Sequence, residues 1–190
     1  MATTKNTAAN VTTGKPKIGG SVFRAPAGSN LPADATSELD AAFQNLGYIS
    51  DEGVTNSTAI ESEEIKAWGG DTVAQPQTGK TDTFKLSMIE SLNVEALKAY
   101  FGDDNVSGTL QTGLTVTCNS KELAPSVWVV DMIATGNVPH RIVIPSAKPS
   151  ELEDITYVDN EAAGLGLTLT ALPDANGNTH YEYIGAKAAG

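Results

Sequence analysis

Three segments of this chain place apolar side chains at every second position: Phe84, Leu86 and Met88; Leu114, Val116 and Cys118; and Leu165, Leu167, Leu169 and Ala171. Only an extended strand sends alternate side chains to one face, so each segment predicts a half-buried strand. Residues 127–133 and 141–144 are more continuously apolar and are joined through Gly136-Asn137, which predicts a central hairpin covered on both faces. Residues 21–24, ending at Pro26, form a further short strand candidate. Asn176-Gly177 lies between residues 168–172 and 180–184 and carries a strong hairpin-turn signal, so these two runs are expected to pair. The sheet is predicted to be mainly antiparallel.

Two segments change period. Leu39, Phe43 and Leu46 recur at helical spacing, Ser37 with Asp40 resembles a capping box, and Gly47 stands where a left-handed cap belongs. A short helix is predicted there. A second is predicted after Ser91, with Val94, Leu97 and Phe101 on one face and Gly102 closing it before Asp103-Asp104. The fold class is therefore β-rich α+β, an antiparallel sandwich or barrel with one or two short flanking helices. With 190 residues and 40% hydrophobic content, one domain with a substantial core is expected. Residues 1–20 read as a flexible arm because they hold few large apolar side chains, residues 21–185 as the domain, and 186–190 as a flexible end. Residues 71–81 and 145–159 fit neither period and read as long loops, which serve either to join subunits or as mobile surface.

Chemistry is sparse. The formal net charge of −11 disfavours binding to a phosphate backbone, which relies on Lys and Arg replacing condensed counterions. Cys118 is the single cysteine, so an intrachain disulfide is excluded, and its place in an alternating run assigns it to the core. Neither an apolar leader nor a run long enough to span a bilayer is evident, so cytosolic assembly without membrane contact is expected. Gly79-Lys80-Thr81 ends like a phosphate-binding loop, but Ala74 occupies the first glycine position and a strand pattern follows where the mechanism needs a helix. His140 and His180 stand alone in strand-like runs and read as packing or surface residues. The acids Glu61, Glu63 and Glu64 with Asp71, and Glu151, Glu153 and Asp154, lack calcium-loop spacing and read as solvated or channel-facing surface. Trp68 and Trp128 are assigned to core or interface. No catalytic residue, metal site or cofactor is predicted.

The segment Ala25-Pro26-Ala27-Gly28-Ser29-Asn30-Leu31-Pro32-Ala33-Asp34-Ala35, running on through Phe43-Gln44-Asn45-Leu46-Gly47-Tyr48-Ile49-Ser50-Asp51-Glu52-Gly53-Val54, resembles the opening of siphophage major tail proteins. Glu64-Ile65-Lys66-Ala67-Trp68-Gly69-Gly70-Asp71, Thr83-Phe84-Lys85-Leu86-Ser87-Met88-Ile89-Glu90 and the helix after Asn93 follow in the order seen in that family. The resemblance covers about residues 22–184 and rests on order and spacing rather than on any catalytic motif. Some relatives carry an extra immunoglobulin-like domain at the C-terminus, for which this chain is too short.

The resemblance implies a tail-tube fold in hexameric rings that stack into a tube, with the chain itself as main partner. Tape-measure, tail-tip initiator and tail-terminator proteins are the other implied partners, and double-stranded DNA passes through without being bound. Lys5, Lys15, Lys17, Asp71, Gln75, Gln77 and Lys80 become candidate inter-ring contacts, and Glu61, Glu63 and Glu64 candidate lumen-facing acids. An acidic wall would repel DNA and let it slide. Two other classes share the residue-level pattern: a monomeric β-sandwich binding or decoration module such as a capsid ornament or adhesin, and a small enzyme limited to carboxylates and hydroxyls.

Overall fold

The computed structural model describes residues 5–186. Its strands are β1 (Lys15–Pro16), β2 (Val22–Pro26), β3 (Gln44–Asn45), β4 (Ile49–Ser62), β5 (Ile65–Lys66), β6 (Thr72–Ala74) and β7 (Gln77–Met88). After helix α1 (Val94–Phe101) come β8 (Val106–Thr109), β9 (Gly113–Val116), β10 (Ser126–Ala134), β11 (Val138–Leu152), β12 (Leu165–Ala171) and β13 (Tyr181–Ile184). Nine strands form one sheet in the order β3-β2-β10-β11-β12-β7-β4, with β1 added to β10 and β13 to β11. Every pairing is antiparallel. The sheet is sandwich-like and does not close into a barrel.

Period-two patterning sorts the sheet into two faces. On β10, Trp128 and Val130 join Phe84, Leu86, Met88, Leu165, Leu167 and Leu169 in the larger core. The intervening Val127 and Val129 join Ala25, Phe43 and Val143 in a smaller core on the opposite face. Full burial of each such side chain stabilises the fold by about 1.5–3 kcal/mol before entropy is counted. Helix α1 covers the larger core with Ala96, Leu97, Ala99 and Tyr100. Asn93 Oδ1 caps it by accepting from the Glu95 amide at 3.0 Å, and Gly102, at φ 100°, donates its amide to Lys98 O at 2.8 Å where the helix stops. The central hairpin β10–β11 turns through Gly136-Asn137 as predicted, with Asn137 at φ 58°.

Four expectations fail. Residues 37–46 are not helical. Asp34 Oδ1 accepts the Thr36 and Ser37 amides, both at 2.6 Å, and Asp40 Oδ1 accepts the Ala42 amide at 3.0 Å, so side chains compete with helical bonds. Leu39 and Phe43 pack on the smaller core while Leu46 enters the larger one. Residues 71–81 and 145–159 are not wholly loops: 72–74 and 77–81 belong to β6 and β7, and 145–152 extends β11. Asp174 to Asn178 does form a turn, with the Gly177 amide donating to Asp174 O at 2.9 Å, but β13 pairs with β11 and not with β12. Cys118 lies exposed beyond β9.

Candidate assembly interface

β4 and β7 run antiparallel for most of their length, but only part of that pair is supported from below. From Asp82 to Met88, β7 also pairs with β12. From Ala59 to Ser62 on one strand and Gln77 to Thr81 on the other, the two strands pair only with each other among the described residues. The pairing continues through the Glu63 amide to Pro76 O at 3.1 Å and through β5–β6, and it ends at a tight turn in which the Gly70 amide donates to Ala67 O at 3.0 Å. The result is a two-stranded ribbon over residues 59–81, with nearly every residue exposed. Its exposed side chains include Ile60, Ile65, Val73 and, on the end turn, the fully exposed Trp68. Two-stranded ribbons without a packed face are marginal alone.

The ribbon gathers most of the residues singled out by sequence. Glu61, Glu63, Glu64, Asp71, Gln75, Gln77 and Lys80 all lie on it and are exposed. Glu64 meets Lys66 at 3.5 Å and accepts from Thr72 Oγ1 at 3.3 Å, while Gln75 donates to Ser62 Oγ at 3.0 Å. Lys80 stands opposite Ile60 and Gln77 opposite Ser62. Lys15 and Lys17 lie elsewhere: Lys15 opposes Ile133 on β10, and Lys17 Nζ is 3.4 Å from Asp131 Oδ2. Lys5 is exposed.

The root of the ribbon is fastened by a polar cluster that sequence reading left out. Asp82 is fully buried and accepts from Thr58 Oγ1, from Thr179 Oγ1 at 2.6 Å and from His180 Nδ1 at 3.0 Å. Burial opposes ionisation of this carboxyl, yet the Thr179 and Thr58 hydrogen bonds with the charges of His180 and Lys80 outweigh it and hold its pKa below the usual value. Glu182 lies 3.7 Å from His180 Nε2 and 3.0 Å from His140 Nε2, so both histidines join one network. The parity of Phe84, Leu86 and Met88 extends to Asp82, and this is the signal in the sequence for a buried acid there. Trp128 is buried in the core, whereas Trp68 is not a core residue.

Among the described residues, no group of three or more His, Cys, Asp or Glu side chains is arranged to hold a metal ion, and no helix is long and apolar enough to cross a membrane. Gly79-Lys80-Thr81 lies within β7, away from any helix N-terminus. The other prominent polar feature is a structural hub. Arg141 and Asp131, both buried, pair through bonds of 2.6 and 2.8 Å, and Arg141 Nη1 also donates to Ser37 O at 2.8 Å and Asp34 O at 3.1 Å.

β4 is a long terminal strand of the sheet whose outer side has no partner among the described residues, and the ribbon beyond it has no packed face. An open edge of this kind is a template for pairing with another chain. Residues 4–189 match the family described as phage tail tube protein, and the chain belongs to that family. No curated protein matches the chain. Family membership implies self-assembly into a tube in the virion tail.

Proposed function

We propose that this chain forms the tail tube of a long-tailed, non-contractile phage by polymerising as stacked hexameric rings around an acidic channel for genome ejection. The family match carries the reading, and the unsupported ribbon with the open β4 edge supplies its physical basis. Merging the edges of neighbouring sheets would leave no strand without a partner. Assembly in the host cytoplasm would proceed around a tape-measure protein from a tail-tip initiator to a tail terminator, and it requires no turnover or cofactor.

In this reading Asp71, Gln75, Gln77 and Lys80 on the ribbon, with Lys5, Lys15 and Lys17 on the 1–20 arm, meet the adjacent ring. Glu61, Glu63 and Glu64 contribute to the channel wall. The net charge of −11 supports the acidic channel, since like charge keeps the phosphate backbone from adhering.

Negative-stain electron microscopy of the concentrated protein, at low salt and at about 0.5 M salt where screening is strong, tests the proposal. Hollow tubes or rings with a channel wide enough for duplex DNA are expected, more of them at the higher salt. Isolated monomers at every concentration and salt would refute self-assembly as the chain's own property and favour a monomeric decoration module.

A further inference from the structure

A cavity of about 650 Å³ lies between the segment around residues 14–21 and the start of β4, and its walls include Pro16, Ile18, Tyr48, Ile49, Val54 and Met132. Ile18 and Tyr48 on this wall are exposed, so the site leaves apolar surface in water. Its volume falls within the about 300–1,000 Å³ of pockets that bury drug-sized molecules, which is ample for an indole ring. The chain also has an unburied indole, Trp68, held on the ribbon turn between the exposed Ile65 and Val73.

We infer that the Trp68 turn of one copy seats in this cavity of a second copy. The inference rests on the tube reading for the identity of the partner. A Trp68 turn that fills this cavity has to come from another copy. Val54 on the cavity wall and Ala67 at the turn are thirteen residues apart along the hairpin strands. At about 3.3 Å per residue this separation is about 40 Å. The hydrogen-bonded ladder between them holds the turn away from its own cavity.

The two surfaces differ, so the contact is head-to-tail, and such contacts propagate into rings or open polymers instead of stopping at a dimer. Burying one tryptophan removes about 150–250 Å² from water, the kind of aromatic anchor that dominates protein interfaces. Glu64 and Asp71 outnumber Lys66 near the turn, and Asp51 and Glu90 outnumber Lys17 at the cavity, so the two surfaces carry like net charge and added salt should strengthen seating.

Disulfide trapping tests the seat in the full chain. In a Cys118→Ser background, Ala67→Cys protein, which keeps Trp68, is mixed with Ile18→Cys protein, assembled and oxidised gently, and the linked peptides are identified by mass spectrometry. A 67–18 cross-link between copies is expected, well above that from a control pairing Ala67→Cys with Thr115→Cys on β9. Trp68→Ala should reduce tube yield at least tenfold with an unchanged urea midpoint, since the side chain is solvent-exposed in the single chain. Tubes formed without any 67–18 link would overturn the seat and leave the tube reading standing, whereas neither tubes nor link would overturn both.

Discussion

Replacing Asp131 by alanine tests whether the buried hub holds the smaller core together. Arg141 is 1% exposed and meets Asp131 in a bidentate pair at 2.6 and 2.8 Å. Asp131→Ala strands that guanidinium with only neutral partners, the carbonyls of Asp34 and Ser37 and the Ser37 hydroxyl. Removing one partner of a buried ion pair costs about 3–5 kcal/mol. For a chain of this length each kcal/mol shifts Tm by about 2–4 °C, so a fall of about 6–20 °C is expected. Arg141→Met should cost less, because Lys17 remains 3.4 Å from Asp131 and water reaches that lysine. The double variant should cost less than the sum of the two, as expected when each residue neutralises the other. Urea melts followed by tryptophan fluorescence give the midpoints, and an unchanged slope confirms that stability alone has moved. Single-variant losses below about 0.5 kcal/mol, or strictly additive losses, would refute the hub. The Arg24–Asp103 pair is a contrast: it is also bidentate, at 2.8 and 2.6 Å, but Asp103 is exposed, and pairs of that kind contribute about 0–1 kcal/mol.

Asp82→Asn should destabilise the protein at neutral pH and flatten its acid dependence. A carboxyl with a lowered folded-state pKa contributes stability above its unfolded value, about 4, and loses it as pH falls through the folded value, so wild type and variant should converge in urea melts as the pH is taken below about 4. Gly108→Ala should cost more than about 2 kcal/mol by thermal melting, because Gly108 sits at φ 89° and an added Cβ would collide with the Gly113 carbonyl across the β8–β9 hairpin.

Strand identity was legible wherever one face was buried, because water on one side and core on the other impose the period of two. Phe84, Leu86 and Met88 and the leucines of β12 show this directly. Helix α1 was legible because its apolar spacing and its terminating glycine agree. The false helix at residues 37–46 has the same spacing, but the Asp34 and Asp40 carboxylates satisfy backbone amides locally and leave Leu39 and Leu46 free to enter different cores. The ribbon escaped detection as strand because it buries no face: Thr, Gln, Gly and Lys in residues 77–81 carry no alternation for a period to reveal. The pairing of β13 escaped for another reason, since a turn signal fixes where the chain bends and not which strand it meets next.

That same lack of a buried face ties the ribbon's sequence to its role. Ordering residues 59–81 costs about 1–2 kcal/mol of backbone entropy per residue, whereas each cross-strand pair returns only about 0.2–1 kcal/mol. The body of the sheet closes this gap with two cores and the Arg141–Asp131 hub, and the Asp82 cluster fastens the ribbon's root to that body. Beyond Asp82 the ribbon has backbone pairing and scattered exposed apolar groups, Ile60, Ile65, Trp68 and Val73, whose burial needs a surface from outside the chain. In the proposed tube a neighbouring copy would cover those groups, so assembly would add to the ribbon the burial that its own backbone ladder lacks.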